Sequence, residues 1–438
     1  MHPDPDLGLL APVWAGSLAQ ARSGDAALVR ALLDAEAALT RALVLTGDAP
    51  EAAGAVVTEM AARLSVDAGE LALAARSAGN PVIPLVRILR AAVREADPAA
   101  EAWVHRGTTS QDVLDTALMT VSARVLDESV LPGLDAAADA AAALAAEHRR
   151  TVQAGRTLTQ HAVPVTFGAK VAGWLSGLLD ARDRCARVRD RLPAQLGGAA
   201  GTLAALDVAD RVAVVEAFAA ECGLVARDAP WHTVRTPVAE LAAALALATG
   251  ACGKVGLDVT VLAQTELAEV AGDPGGESSA MPQKRNPVTA ALVVSAARQA
   301  PAASAAVHLG LLAENERPAG AWHAEWQPWR ELLRLAGGAC EATARLLAEL
   351  RPDPAAMAAT ARGDGALLAE RLVGALRPEL GADAAGAVRE AALAGRLPEM
   401  LARHGLAEPA GYLGAAPEFT DRVVARYRAS RRRSDDGS

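Results

Sequence analysis

Residues 112–148 have the sequence DVLDTALMTVSARVLDESVLPGLDAAADAAAALAAEH, in which Pro132 is the only proline. Apolar side chains recur at helical spacing in its first half, at Leu114, Leu118, Val121 and Leu126. A helix of about 34 residues would be about 50 Å long at 1.5 Å per residue, which is longer than a compact monomeric domain usually needs. Such helices usually pack side by side, often against other subunits. The stretch therefore predicts a bundle of long helices.

Helical patterns of the same kind cover residues 25–45, 166–192, 237–270, 287–312 and 326–350. The chain has 438 residues, of which 52% are hydrophobic and only 3% aromatic, and it is rich in Ala and Leu, which favour helices. Gly and Pro return after residue 351, where the helices shorten. We expect an all-α fold with an N-terminal helical domain (1–107), a central long-helix bundle domain (108–350) and a C-terminal helical domain (351–438).

Charge and cysteine usage exclude several classes of function. The net charge of −9 argues against a nucleic-acid or anionic-membrane surface, which needs an excess of Lys and Arg, but it leaves an anionic substrate possible. The four cysteines are far apart and are expected to be buried free thiols, since no close pair suggests a zinc site. No signal peptide and no uninterrupted apolar stretch of membrane-spanning length was found, so a cytoplasmic protein is expected.

Three polar segments lie between the apolar helices and are candidates for the chemistry. The first block, residues 105–112, has the sequence HRGTTSQD and precedes the long helix. Its hydroxyls and the unpaired N–H groups of the helix end can hold a carboxylate. The alternative is an elaborate helix cap, in which Ser110 or Thr109 only caps the helix.

The second block, residues 155–164, has the sequence GRTLTQHAVP and again precedes a helix. His161 titrates near neutral pH and can therefore move protons. The alternative is that this histidine is a structural hydrogen-bonding group.

The third block, residues 272–287, has the sequence GDPGGESSAMPQKRNP. Glycines in its first half suit a mobile lid, and the prolines around Lys284, Arg285 and Asn286 suit a rigid cationic platform. Removal of a proton from carbon beside a carboxylate needs such an arrangement, because the doubly charged intermediate must be stabilised by fixed donors and cations. Ser278 is a candidate base if neighbouring cations lower its pKa. A surface turn is the alternative.

Together the three blocks resemble the fumarase/aspartase superfamily, whose hallmark loop is close to G-S-S-x-M-P-x-K-x-N-P. Here the loop is GESSAMPQKRNP, with Glu277 where glycine is usual. The segments HRGTTSQDVLDTA and GRTLTQHAVPVTFG resemble the first two conserved blocks of the family, in the expected order. The resemblance implies a homotetramer with a 20-helix core, in which three subunits build each active site.

By this resemblance, Ser278 takes the position of the catalytic base and His161 that of a second catalytic group. No metal or organic cofactor is implied. The resemblance also implies a set of substrate-binding residues drawn from all three blocks and from two further segments: His105, Thr109, Ser110, Gln111, Gln160, Arg235, Ser279, Met281, Lys284, Asn286 and Arg317.

Leu158 is a departure that bears on the reaction. Fumarases, argininosuccinate lyases and adenylosuccinate lyases usually have a histidine at this position, which assists the leaving group, and leucine cannot donate a proton. A leaving group that departs comfortably as an anion needs no acid. The segments around Trp231-His232 and Trp322-His323 resemble the 3-carboxy-cis,cis-muconate cycloisomerase branch, as does His161.

The sequence favours a cycloisomerase of aromatic catabolism that converts 3-carboxy-cis,cis-muconate to a carboxymuconolactone. Arg235 and Arg317 would neutralise further carboxylates of this tricarboxylate, although a surface salt bridge is the competing role for each. The alternative function is a fumarate-forming lyase on a substituted succinate. A nitrosuccinate lyase releasing nitrite is its most attractive form, and adenylosuccinate lyase fits less well because of Leu158. A non-catalytic scaffold protein is the third alternative.

Overall fold

The computed structural model describes residues 7–273, 276, 281 and 284–435. Within them the chain is mainly helical, which confirms the predicted all-α class. The helices are α1 Leu18–Ser23, α2 Asp25–Leu45, α3 Glu51–Arg63, α4 Ala68–Ala78, α5 Val82–Ala96, α6 Ser110–Val125, α7 Leu131–Glu147, α8 Phe167–Arg189, α9 Arg211–Glu221, α10 Thr236–Leu262, α11 Val288–His308, α12 Ala321–Glu349, α13 Pro354–Arg362, α14 Ala369–Leu380, α15 Ala384–Leu393, α16 Leu397–Arg403 and α17 Ala416–Asp435. The strands are β1 Val152–Thr157, β2 Gln160–Thr166, β3 Val270–Ala271 and β4 Arg351–Pro352.

The longest predicted helix is confirmed, with one irregularity. Helices α6 and α7 are joined by a π-helical turn over Leu126–Val130, directly before Pro132. Proline has no N–H to donate and its ring crowds the preceding turn, so the wider turn accommodates it without ending the helix. Pro301 and Pro328 likewise lie inside α11 and α12.

The chain divides into two compact units. The first comprises Met1–Pro132, Arg182–Gly250 and Ala296–Glu341. In it, α2 packs against α3, α6 and α9 through a face of small and branched side chains such as Leu32, Leu39 and Leu43, which are fully buried. The division expected from the sequence, at residues 107 and 350, remains a prediction.

The second unit comprises Gly133–Ala181, Ala251–Ser295 and Ala342–Ser438. Its α14, α15 and α16 enclose a small apolar cluster that includes Leu372, Leu376 and Val388. Strand β3 pairs with β4 in an antiparallel two-stranded ladder. The ladder holds the chain immediately before the third block.

The second block is part of a β-hairpin, which the sequence did not predict. Strands β1 and β2 pair antiparallel from Val152↔Thr166 to Thr157↔Gln160, with an irregularity between Ala154 and Arg156. The two-residue turn has positive φ at both positions, 48° at Leu158 and 67° at Thr159. Such a turn usually carries Asn-Gly or a similar pair, so the sequence lacked the usual hairpin signal.

Two helical segments are long and apolar enough to cross a membrane by length and composition alone, although charged residues interrupt both. Ser110–Glu147 and Thr236–Leu262 each contain an 18-residue window with the length and mean hydropathy of a membrane-crossing helix. Half of the first window and 61% of the second are buried inside the fold. Alanine-rich core helices give the same signal, so the two segments are weak evidence for a membrane.

None of the four cysteines, all of which the structure describes, is in a disulfide, and three of them are buried as expected: Cys185, Cys252 and Cys340. Cys222 is partly exposed at the end of α9, and burial of its thiol raises its pKa to about 12. Among the described residues no group of three or more metal-binding side chains is present.

Candidate active site

The first block is held by the carboxylate of Asp112, the third residue of α6. Its Oδ2 accepts hydrogen bonds from the Thr108 hydroxyl (3.0 Å) and from the N–H of Thr109 (3.0 Å), which closes the loop onto the helix end. Both residues precede α6, so Asp112 satisfies the N-cap backbone in the manner of a capping box. The cap predicted as the alternative for this block is present, since the Thr109 side chain also accepts the backbone N–H of Asp112.

Asp112 also binds two other segments of the first unit. Its carboxylate accepts the N–H groups of Gly197 and Gly198, both at 2.9 Å, and lies 2.7 Å from Nε2 of His232. Because an ionised carboxylate only accepts, Nε2 of His232 carries the proton. Asp112 is fully buried and His232 is nearly so. This fully satisfied buried carboxylate therefore fixes three loops relative to one another.

Arg317 donates hydrogen bonds to two residues of the first block. Its Nη1 donates to the Thr109 hydroxyl (2.8 Å) and its Nε to Oε1 of Gln111 (3.2 Å). The amide nitrogen of Gln111 in turn donates to the backbone carbonyl of His232 (2.8 Å). We call Thr109, Gln111 and Arg317 the arginine cluster. Ser110, the first residue of α6, lies between two of its members and is itself buried.

His105 begins the first block in a left-handed backbone conformation, with φ of 59°. Its Nδ1 lies 2.7 Å from Oε1 of Glu36 on α2, and Glu36 is fully buried. Burial lowers the pKa of His105, but the charge of Glu36 and its hydrogen bond raise it by more, so the net shift is upward. The Glu36 carboxylate therefore stabilises the protonated form of this imidazole.

Arg235 does not occupy the position expected for a substrate contact. It is 2% exposed, and all three guanidinium nitrogens donate to two carboxylates. Nη1 and Nη2 contact Asp115 at 2.7 and 3.1 Å, and Nη2 contacts Glu325 at 2.8 Å. The geometry favours a structural ion-pair triad inside the first unit. Because both carboxylates are almost fully buried, the surface salt bridge considered as the alternative is not present either.

The second block places its predicted residues at the exposed end of the hairpin. Leu158, in the turn, is 96% exposed, and Gln160 and His161, the first two residues of β2, are also exposed. The base of the hairpin is fixed instead. Arg156 makes a two-point contact with the buried Glu269, with Nη2–Oε1 at 2.7 Å and Nη1–Oε2 at 3.0 Å. Such bidentate pairs are directional as well as strong.

The third block is described only in part, because Ser278 and Ser279 lie outside the described residues. Met281 and Lys284 are exposed. Asn286 donates both its backbone N–H (3.0 Å) and its side-chain amide (3.1 Å) to the carbonyl of Gly276, and a Cβ on Gly276 would lie 2.0 Å from the Asn286 carbonyl oxygen. Glycine is required at this position, which has φ of 81°.

Asp273 fixes the same block to α11. Its carboxylate accepts the N–H groups of Thr289 (3.1 Å) and Ala290 (3.0 Å), near the start of that helix. A negative charge at a helix N-terminus stabilises the helix. The described parts of the block are therefore a folded, internally bonded segment that presents Lys284 at the surface.

Comparison with known proteins agrees with this architecture. A family model described as "Lyase" matches residues 16–302. The chain belongs to the fumarase/aspartase superfamily. It is 46% identical to a nitrosuccinate lyase of Streptomyces davaonensis, over 96% of this chain and 94% of the relative. It is 39% identical to a 3-carboxy-cis,cis-muconate cycloisomerase of Bradyrhizobium diazoefficiens, over 95% of this chain and 97% of the relative.

A solved structure shows the same superfamily fold. The crystal structure of 3-carboxy-cis,cis-muconate lactonizing enzyme from Pseudomonas putida superposes with a TM-score of 0.87 at 35% sequence identity. The match covers 96% of this chain and 99% of that structure. Membership of the superfamily makes the chain an enzyme of this group and confirms the resemblance carried by the three blocks.

Sequence reasoning missed the carboxylates that organise the site. Glu36, Asp115, Glu269 and Glu325 were not singled out: Glu36 and Glu269 lie in largely apolar segments without a recognisable motif, and Asp115 and Glu325 lie in segments that were compared with the family only as a whole. Each is buried and paired with a cation in the structure. A charged residue at a core position of a predicted helix is the signal that could have found them, since buried charges need partners.

Proposed function

We propose that the protein eliminates nitrite from nitrosuccinate to give fumarate. One observation supports this choice over the cycloisomerase favoured by the sequence alone, and a second is compatible with both reactions. The Streptomyces davaonensis nitrosuccinate lyase is 46% identical over nearly the whole chain, against 39% for the Bradyrhizobium cycloisomerase. The turn of the hairpin carries Leu158 where relatives that protonate their leaving group usually have histidine. Nitrite leaves as a stable anion and needs no acid.

In the proposed reaction, Ser278 removes a proton from the carbon next to one carboxylate of the substrate. The electron pair enters that carboxylate as an aci-form dianion, then returns to form the double bond while the C–N bond breaks and nitrite departs with its electrons. Lys284 and Asn286 stabilise the dianion, because fixed cations and donors act most strongly where charge develops.

The second carboxylate of the substrate is proposed to bind the first block. The arginine cluster offers one fixed cation and adjacent hydroxyl and amide groups within 3.2 Å of it. His105 begins the same block, and its Nδ1 is paired with Glu36. Ser110 contributes a donor at the start of α6. An array of this kind suits a planar carboxylate, which Arg contacts through two parallel hydrogen bonds.

Lactonisation of 3-carboxy-cis,cis-muconate is the second candidate. It is supported by the fold match to the Pseudomonas putida lactonizing enzyme and by the cycloisomerase relatives. In this direction Ser278 would deliver the proton to carbon after a substrate carboxylate oxygen adds to the conjugated system. The burial of Arg235 between two carboxylates weighs against it, because one of two cations assigned to the additional carboxylates is already neutralised.

We also propose that the chain acts as a cytoplasmic homotetramer whose active sites are shared between subunits. Along α10, the apolar side chains of Leu247, Leu257 and Val261 are between 38% and 46% exposed. An exposed apolar helix face of this kind is typical of a subunit interface. The exposed hairpin end, with Gln160 and His161, would then reach the site of a neighbouring subunit. Light scattering in solution tests the assembly, and a monomer would contradict it.

The test of function is an assay of the purified protein with both substrates. Nitrosuccinate should yield fumarate and nitrite in equal amounts, measured by ultraviolet absorbance and by a colorimetric nitrite assay. 3-Carboxymuconate should give no lactone at a comparable rate. Lactone formation with no nitrite release would overturn the first choice and establish the second.

The role of Ser278 is tested by Ser278→Ala, with Ser77→Ala on the exposed face of α4 as the matched control. The Ser278→Ala variant should lose turnover while keeping its assembly state and substrate affinity. The Ser77→Ala control should keep all three properties. Full activity of Ser278→Ala would remove this serine from the mechanism.

A further inference from the structure

A cavity of about 290 Å³ lies in the first unit, among α2, α4, α6 and α12. Its walls are mostly apolar, with Leu28 and Leu32 from α2, Leu71 from α4 and Leu114 and Leu118 from α6. The indole rings of Trp326 and Trp329 on α12 complete the lining. A concave apolar site with a small number of polar groups is the usual form of a small-molecule binding site.

The two indoles in the wall have an unusual feature. Trp14, Trp174, Trp231 and Trp322 each donate their indole N–H to an acceptor within the chain. The indole nitrogens of Trp326 and Trp329 are buried and have no acceptor among the described residues. Buried tryptophan N–H groups usually find a partner, and one left unpaired costs about 1–3 kcal/mol. Both exceptions line the same cavity.

The rim of the cavity supplies a cation. Arg330, on α12, contacts Asp25 at 2.7 Å. The Arg330 side chain is only 17% exposed, whereas that of Asp25 is 64% exposed, so the carboxylate can turn into solvent while the guanidinium stays at the cavity. Exposed ion pairs are weak, and a ligand carboxylate can replace Asp25 at little cost.

We propose that this cavity binds a small aromatic monocarboxylate. The flat indole walls match a single ring, which gains from edge-to-face contact as Trp322 and Trp326 already do at 4.9 Å. One oxygen of the ligand carboxylate would contact Arg330. The other oxygen would accept the indole N–H of Trp326 or Trp329 after a small rotation of that ring. A substrate with two or three carboxylates does not suit an apolar lining, so the site differs from the candidate active site in its ligand.

The two sites share α6. Gln111 and Asp112 on that helix belong to the candidate active site, and Leu114 and Leu118 to the cavity. Trp326 packs edge-on against Trp322, whose indole donates to Asp115 of the ion-pair triad at 2.9 Å. A ligand in the cavity would therefore contact the same framework that holds the arginine cluster.

Binding of benzoate to the full-length protein, measured by calorimetry and by tryptophan fluorescence, tests the proposal. Benzoate should bind saturably and change the fluorescence, whereas succinate, which lacks the ring, and benzyl alcohol, which lacks the carboxylate, should bind at least tenfold more weakly. Absence of saturable benzoate binding overturns the site. Equal binding of benzyl alcohol overturns the carboxylate contact and with it the proposed ligand class.

Two variants localise the binding. Ala75→Phe fills the cavity from α4 and should abolish binding, while Ala74→Phe, at the neighbouring exposed position that does not line the cavity, should leave it intact. Trp326→Phe keeps a ring but removes one N–H and should weaken benzoate roughly threefold to tenfold, the equivalent of one hydrogen bond. If both alanine variants bind benzoate as the parent does, the ligand lies elsewhere and the proposal is wrong.

Discussion

Replacing Arg235 with methionine separates a structural role from a substrate contact. The change removes the guanidinium from between Asp115 and Glu325 and leaves two buried carboxylates without their cation. Removing one partner of a buried ion pair typically costs about 3–5 kcal/mol, because the remaining charge stays desolvated. The donated hydrogen bonds run from 2.7 to 3.2 Å on both carboxylates, which places the expected loss at the upper end of that range.

The loss depends on pH in a direction that the structure sets. Burial raises the pKa of Glu325 even with Arg235 present. An acid whose folded pKa is raised above its unfolded value lowers stability as the pH rises, since the unfolded chain releases the proton first. Without the Arg235 guanidinium, the pKa of Glu325 should rise further, and the loss of stability with rising pH should become larger. The Arg235→Met deficit should therefore be larger at pH 8 than at pH 5.

Urea unfolding followed by circular dichroism at both pH values measures the effect. With a slope of about 3 kcal/mol per molar, the midpoint at pH 8 should fall by roughly 1–2 M. Arg184→Met, at an exposed position on α8, is the matched control and should change little. An Arg235→Met protein of unchanged stability whose only defect is a raised KM would refute the structural role and restore Arg235 as a substrate contact.

Three further changes test the first block. Arg317→Met should raise KM roughly 10- to 100-fold with little loss of stability, because it removes a charge-assisted contact worth about 1.5–3 kcal/mol; an unchanged KM would exclude Arg317 from the site. Asp112→Asn should lower both kcat and the unfolding midpoint, since its new NH₂ group faces backbone donors; a thermal melt matching the parent would contradict its organising role. Glu36→Gln should lower the pKa of His105. A histidine pKa that is raised on folding adds stability below about pH 6.5, and this stability is lost as the pH rises. The urea midpoints of the parent and of Glu36→Gln should therefore differ more at pH 5.5 than at pH 9. Equal differences at the two pH values would contradict the pairing of His105 with Glu36.

The helices were predictable because their signal is local. The pattern over residues 25–45 coincides with α2, and that over 112–148 with α6 and α7 together, because apolar spacing and Gly or Pro punctuation act within a few residues. The hairpin was missed for a local reason as well. Its turn residues, Leu158 and Thr159, have positive φ without being glycine or asparagine.

The roles of charged residues were less predictable because they depend on partners far away in the chain. Arg235 meets Asp115 and Glu325, 120 and 90 residues distant, and no spacing rule in a single sequence reports such a meeting. Arg317 contacts Thr109, 208 residues away in the chain, and this contact was not predicted. The substrate-binding roles of both residues stay predictions, and only the fold could say which cations remain available to a substrate.

The hairpin connects the departure at Leu158 with the rest of the chemistry. Its base is locked by Arg156 and Glu269, while the turn that carries Leu158 is almost fully exposed. Because the base of the hairpin is fixed, the projecting turn has a defined position. In the proposed shared active site, the residue at position 158 would therefore affect the reaction even though it makes no contact inside this chain. With leucine at that place no proton is supplied to the leaving group from this position. The scaffold is thus suited to a substrate whose leaving group is already a stable anion, which both nitrosuccinate and a lactone carboxylate satisfy, and the assay of the two substrates distinguishes them.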